Sequence, residues 1–173
     1  MRIFLTALRH ILYPEAMKLL VISDTHGNYP LALDVLDRAG TVDAIIHVGD
    51  GYEDAEVLET VSGLPVIRVP GNCDPDVETP RELLPSIAGV PCLITHGDAY
   101  QVKSGLARLQ RRAAAVQARL VIFGHTHIPD IVTDRGIIFL NPGNLHKEST
   151  QRSYALVTII DDTPTAEIVP VAG

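Results

Sequence analysis

The sequence predicts an α/β fold in which a parallel sheet carries packed helices and a β-rich half completes the chain. Three observations predict it. Between residues 19 and 69, short apolar runs alternate with stretches of helical period, the β-α-β-α-β order of a parallel sheet. After residue 123 the helical period disappears, and strand-like runs with a hairpin turn replace it. Polar residues beside glycine stand just after the apolar runs, where the loops of an open α/β sheet converge on ligands.

The first sixteen residues, MRIFLTALRHILYPEA, differ from the rest of the chain. Their apolar stretch, Ile3 to Leu8, is broken by Arg9 and lacks a small-residue cleavage site, so it does not read as a signal peptide. Phe4, Leu8 and Ile11 or Leu12 have the spacing of a short surface helix. The alternative is a start placed too early, with Met17 the natural first residue; Met17-Lys18 leads straight into a strand pattern and favours it. Residues 17–173 then form a single domain.

Leu19 to Ser23 is the first strand, followed by a helix with Leu31, Val35 and Ala39 on one face. Ala44 to Val48 is the second, followed by a helix bearing Ala55, Leu58 and Val61. Pro65 to Val69 is the third. Leu83 to Ala88 and Pro91 to Thr95 are expected as strands joined by a turn at Gly89. A longer helix over 102–117 places Leu106, Leu109, Ala113 and Val116 inward and a solvated Arg108, Arg111, Arg112 face outward. Leu120 to Phe123 is the next strand. A hairpin turn at Asp134-Arg135-Gly136 and strands near 137–140, 153–160 and 165–170 complete the chain.

Composition narrows the function classes. The chain has 173 residues, enough for one domain with a substantial core. No apolar run reaches the ~20 residues of a membrane-spanning helix. Fourteen basic against 21 acidic side chains give a net charge of −7. That balance argues against long nucleic acid, whose binding relies on a basic field. Cys73 and Cys92 cannot form the framework of a small secreted scaffold, so a reducing cytoplasm is expected. Phosphate remains open as a substrate, because bound ions outweigh net charge at a site.

Five short signatures each stand after an expected strand. They are Asp24-Thr25-His26-Gly27-Asn28, Gly49-Asp50, Gly71-Asn72-Cys73-Asp74, His96-Gly97-Asp98 and Gly124-His125-Thr126-His127. Mixed carboxylate and imidazole donors suit borderline divalent ions such as Mn, Fe, Ni, Co or Zn. In Asp24-x-His26 and His125-x-His127, side chains one residue apart can face the same way. The Asn72 amide oxygen is a neutral donor, and the two oxygens of Asp50 allow it to bridge two ions. Each piece alone is weak. The ordered set of five is specific, because ordinary capping or core histidines explain one or two of these positions but not four in this order.

The set resembles the calcineurin-like metallophosphoesterase superfamily, whose signature runs D-x-H, G-D, G-N-H-D/E, H and G-H-x-H. The match spans about residues 18–170. Gly71-Asn72-Cys73-Asp74 and Asn141-Pro142-Gly143, with Asn144 where N-P-G-S is frequent, are similar to the compact bacterial and archaeal phosphodiesterase branch. The resemblance implies a four-layer αββα sandwich of two mixed sheets flanked by helices. It implies two divalent ions, manganese foremost. Asp24, His26 and His127 would hold one, Asn72, His96 and His125 the other, and Asp50 would bridge them. Asp50, Asn72 and His96 would be catalytic, with a metal-bridging hydroxide attacking the phosphorus of a small phosphodiester or nucleotide-like substrate. A homo-oligomer, dimer or tetramer, is expected with it.

Three departures stand out. Cys73 replaces a histidine that protonates the leaving group in many relatives. Asp74, which would orient that histidine, loses its usual task. Asp98 stands where a second histidine is frequent and would change the surroundings of the ions or the pocket entrance. Asn28, Cys73 and Asp74 are the candidate substrate contacts, with a turn-stabilising amide the equal alternative for Asn28. His47 reads as a hydrogen-bonded core residue, His10 as without a role and Cys92 as core. His146 follows the Asn-Pro-Gly loop and could approach substrate, with an exposed loop histidine the favoured reading. The alternative function is a scaffold, since a retromer subunit of animals and fungi resembles this fold and uses it to bind protein. A serine/threonine phosphatase is disfavoured because Gly49-Asp50-Gly51-Tyr52-Glu53-Asp54 lacks that family's arginine. A DNA-repair nuclease is disfavoured by size and charge.

Overall fold

Strand β1 (Ala16–Ile22) shows how the layers arise. Successive side chains of a strand point to opposite faces. Leu19 and Val21 therefore enter one fully buried cluster, while Leu20 and Ile22 enter another on the far side of the sheet. A strand apolar on both faces must be covered on both faces.

The computed structural model describes residues 16–74 and 77–171; the surface helix expected at Phe4 to Leu12, and His10, lie outside them. After β1 come α1 (Tyr29–Ala39), β2 (Ala44–His47), α2 (Tyr52–Ser62) and β3 (Val66–Arg68). Next are β4 (Glu82–Leu83), β5 (Ser86–Ile87), β6 (Val90–Thr95), two 3-10 turns and α3 (Ala107–Ala115). The chain continues through β7 (Leu120–Ile122), β8 (Asp130–Asp134), β9 (Ile137–Asn141), β10 (Arg152–Ile160) and β11 (Thr163–Val171).

One sheet runs β11-β10-β1-β2-β3 and the other β4-β6-β7-β9-β8, with β5 paired to β6. Both are mixed. β1, β2 and β3 are parallel and β10 joins β1 antiparallel. In the second sheet β6, β7 and β9 are parallel, and β8 returns antiparallel. Leu19, Val21 and Ile46 meet Ile94, Leu120 and Leu140 between the sheets. Ala32, Val35 and Leu58 of α1 and α2 cover the first sheet outside, and Leu109 and Ala113 of α3 cover the second. This is the four-layer αββα sandwich. The β8–β9 turn matches the expectation, with Arg135 and Gly136 both at positive φ (49° and 79°), as a two-residue hairpin of right-handed twist requires. No helix among the described residues is long and apolar enough to cross a membrane.

Three expectations need correction. The strand expected over Leu83 to Ala88 is two short pieces, because Pro85 has no N–H to give to a ladder. The helix expected over 102–117 is a 3-10 turn, a break and a shorter helix. Gly105 makes the break, at φ 123° and ψ 165°, a conformation open to glycine and closed to residues with a Cβ. Arg112 is not simply solvated, since its guanidinium forks onto the Glu82 carboxylate of β4.

Candidate metal centre

The five signature loops leave the carboxyl ends of β1, β2, β3, β6 and β7 and meet at one edge of the sandwich. Backbone bonds lace them together. Asp24 N–H donates to the Gly49 carbonyl (3.0 Å), His26 N–H to Asp50 (3.0 Å) and Gly124 N–H to His96 (3.0 Å). His125 N–H donates to Asp24 Oδ2 (3.2 Å), which ties the two sheets at the site. Asp24, His26, Asp50, His125 and His127 all have positive φ, between 46° and 67°, a strained state for residues with a Cβ. Gly49 is needed for close approach, since a Cβ there would lie 2.7 Å from Gly71 N and from His96 Nδ1.

Two groups of donor atoms form. Asp24, His26 and His127 make one and Asp50, His96 and His125 the other, each with its donor atoms within 4.8 Å of one another. Asp50 Oδ2 lies 3.8 Å from His26 Nε2 and 3.4 Å from His96 Nε2, so this carboxylate stands between the groups. Its other oxygen accepts from Cys73 N–H (2.7 Å). Asn72 Oδ1 is 3.2 Å from His96 Nε2, in the second group.

The hydrogen bonds test whether divalent ions fit. His96 Nδ1–H donates to the Val48 carbonyl (2.7 Å), which leaves a lone pair on Nε2. That lone pair faces Asn72 Oδ1, His125 Nδ1 at 3.1 Å and Asp50 Oδ2. Asn72 Oδ1 and Asp50 Oδ2 are acceptors, and so close to a lone pair they repel unless a proton or a metal cation sits among them. In the first group, buried Asp24 Oδ1 lies 3.0 Å from His127 Nε2 but accepts no well-directed hydrogen bond. The mixed oxygen and nitrogen donors suit borderline divalent ions. The residues fit.

The titration behaviour agrees. Burial raises the Asp50 pKa, but contact with His96 and the Cys73 N–H outweighs it and holds the carboxyl well below its usual range. Burial likewise opposes ionisation of Asp24, and His127, His96 and Ser23 overturn it. Burial disfavours the His96 cation, yet Asp50 and Asp24 raise its pKa; Asp24 raises that of His127. His125 is lowered by burial and by the charges of His96 and Lys103. The shifts of Asp50, Asp24, His96 and His127 describe a pocket that attracts positive charge.

The remaining candidates divide. Asp74 accepts N–H groups from Asp50 (2.9 Å), Gly51 (3.1 Å), Tyr52 (3.1 Å) and Gly71 (2.9 Å). It therefore clasps the Asp50 loop and the start of α2, and its oxygens face the backbone. Asn28 is buried and its amide donates to the Leu145 carbonyl (2.7 Å), which serves the loop-tying alternative. Cys73 is exposed, with Sγ in a third group with His26 and Asp50. It borders a cavity of about 420 Å³ lined by His26, Asp50, Tyr52, Asp54 and Asp74. Asp98 lies 3.9 Å from Arg81, whose guanidinium also donates to the Gly71 carbonyl (2.9 Å).

Several residues at the site lie outside the five signatures. Buried Ser23 donates to Asp24, and buried Asp54 accepts from Thr25 Oγ1 and from Gly27 N–H (2.8 Å). Asn141 donates to the Gly124 carbonyl (2.9 Å) and Asn144 to that of His127 (3.1 Å), so the Asn-Pro-Gly segment props the last metal loop. His146 lies edge-on to His26.

His47 is fully buried behind the site, and burial pushes its pKa down to about 4 despite the nearby Asp54, Asp24 and Asp74. Gly49 N–H points at its Nδ1 (3.3 Å) and Thr25 Oγ1 lies 3.1 Å from its Nε2, a pattern that needs the neutral ring. The unfolded state then binds the extra proton. Stability from His47 is full above about pH 6.5 and is lost as pH falls towards 4, by about 3 kcal/mol in all. The raised pKa values of His96 and His127 act with opposite sign above that window, and the carboxylates act below it. Denaturant unfolding between pH 4 and 7 should show this slope, and His47→Gln should flatten it. A parallel curve for the variant would assign the slope to other groups.

Comparison with known proteins agrees with the geometry. Residues 17–162 match the calcineurin-like phosphoesterase superfamily domain. The chain is 33% identical over 162 residues to the probable metallophosphoesterase YsnB of Bacillus subtilis (strain 168), covering 91% of this chain and 93% of that protein. It is 29% identical over 161 residues to the phosphodiesterase YfcE of Escherichia coli (strain K12), covering 82% and 87%. Among solved structures, a conserved uncharacterised protein of Streptococcus pneumoniae TIGR4, described as a predicted phosphoesterase, superposes with a TM-score of 0.76 at 27% identity. That match covers 90% of each chain.

Proposed function

The chain belongs to the calcineurin-like phosphoesterase superfamily, and from that premise we propose that it is a dinuclear metal-dependent phosphodiesterase acting on small phosphodiesters. The observation that carries the reading is Asp50 Oδ2, which faces His26 of one donor group and His96 of the other. Asp24, His26 and His127 would hold one ion, Asn72, His96 and His125 the second, and Asp50 would serve both. When bound, the pair supplies Lewis acidity towards the phosphoryl oxygens and an acidified water as nucleophile.

The chain's own residues do the rest. Ser23 and the His125 N–H orient Asp24, and the Val48 carbonyl fixes the His96 tautomer; such outer contacts set ligand direction and basicity. Asp74 holds the Asp50 loop through backbone N–H groups. The cavity of about 420 Å³ beside Cys73 has room for a small ligand. Its Glu53, Asp54 and Asp74 walls discourage long polyanions. Manganese is the ion we assign, in a cytoplasmic homo-oligomer.

The test is turnover of a phosphoester panel by protein stripped with chelator and by the same protein reloaded with manganese. Metal analysis, melting temperature and light scattering are read on each sample. We expect turnover only after reloading, about two ions per chain, and a melting temperature raised by metal, because ions that bind only the native site stabilise it. Metal binding without turnover on any phosphoester would favour the scaffold reading.

A further inference from the structure

His146 stands at the rim of the centre, its ring edge-on to that of His26 with centroids 4.8 Å apart. His26 in turn lies 5.8 Å, ring to ring, from His127 and reaches towards Asp50 Oδ2. The imidazole of His146 is thus one ring away from the place where the two donor groups meet.

Its backbone is held from both sides. His146 N–H donates to Asn144 Oδ1 (3.1 Å), and the Asn144 amide donates to the carbonyls of His127 (3.1 Å) and Gln151 (3.2 Å). The preceding residue, Leu145, donates to the Ser23 carbonyl (3.2 Å) and accepts from the Asn28 amide (2.7 Å). His146 is therefore fixed to the loops that carry Asp24, His26 and His127.

The ring is also set in one tautomer. Glu148 N–H donates to His146 Nδ1 (3.1 Å), so in the neutral ring the proton is on Nε2. Nε2 makes no hydrogen bond to the described residues. A metal ligand would present a bare nitrogen; His146 presents an N–H. At the rim of a cation site, the complementary group is an anionic oxygen held by the ions.

We propose that His146 Nε2–H hydrogen-bonds a non-bridging phosphoryl oxygen of the substrate, and equally of inorganic phosphate at the same place. This rests on the phosphoesterase reading above and adds a substrate contact to it. The bond needs no change of protonation. It forms with ground state and transition state alike, so its loss should raise KM and leave kcat nearly unchanged.

The test uses manganese-loaded full-length protein and inorganic phosphate, with the affinity read by calorimetry. H146F keeps a ring against His26 and removes the N–H; H146Q places an amide N–H near the position of Nε2. One hydrogen bond to an anion corresponds to a change of about 10-fold or more. We expect H146F to bind phosphate about 10-fold more weakly with unchanged metal content and melting temperature, and H146Q to recover most of the loss. Phosphate affinity unchanged in H146F would overturn the proposal. So would loss of metal from H146F, which would make the ring a buttress for His26, or a wild type that binds no phosphate. His146-dependent phosphate binding without diester turnover would uphold this contact while removing the phosphodiesterase reading.

Discussion

Asp50→Asn is expected to lower metal-dependent turnover by at least about 100-fold, because losing even an outer partner of a metal ligand costs 10–100-fold. The substitution preserves shape and removes one charge. It also creates a conflict that no rotation of the amide resolves. With its NH₂ at Oδ1 the amide faces the Cys73 N–H, donor against donor; with NH₂ at Oδ2 it faces the His26 and His96 nitrogens and the ions. Metal analysis beside the turnover assay checks the cause. Wild-type turnover with two ions bound to Asp50→Asn would remove the bridging role.

The second large effect concerns the leaving group. Burial and the carboxylates of Asp50, Asp74 and Asp24 push the Cys73 thiol above its ordinary value, which makes it a poor acid near neutrality, and bound ions would instead favour a thiolate with no proton to give; neither form assists the leaving group. A well-placed general acid contributes ~10²–10⁴-fold, most for poor leaving groups. Diesters with acidic aryl leaving groups should therefore react at least about 100-fold faster than alkyl monoesters. The rate should fall steeply with leaving-group pKa. Cys73→His should flatten that slope, but by less than the full contribution. Asp74, the expected orienting partner, already accepts from Asp50, Gly51, Tyr52 and Gly71. A matched series of phosphoesters at fixed metal occupancy measures both slopes. A shallow wild-type slope, unchanged by the substitution, would place the proton donor elsewhere.

The range of each interaction decides whether the sequence reveals it. Leu19 to Ile22 reads as a doubly buried strand because its apolar run is local, and the hairpin at Asp134-Arg135-Gly136 is visible through its own φ requirements. The five signature loops are legible because each begins at a strand end. The neighbour relations are not: nothing local pairs β1 with β10. Asp74 resembles a substrate contact when its motif is read along the chain, whereas its partners lie chiefly on the loop after β2, more than 20 residues away. His146 carries little signal for the same reason, 120 residues from the ring it touches. Pro85 and Gly105 are visible, but the apolar pattern on either side masks the breaks they impose.

The position of β1 between β2 and β10 bears on how the protein is made. The loops bearing Asp24 and Asp50 leave the ends of β1 and β2, while the strand that completes β1 on its other side lies more than 130 residues further along the chain. Pairings this distant close slowly, because a long loop must first lose its conformational freedom. A chain that has not yet made this pairing displays carboxylates and imidazoles without the frame that directs them. Directing the ligands of the first sheet therefore depends on docking of the β10–β11 hairpin against β1.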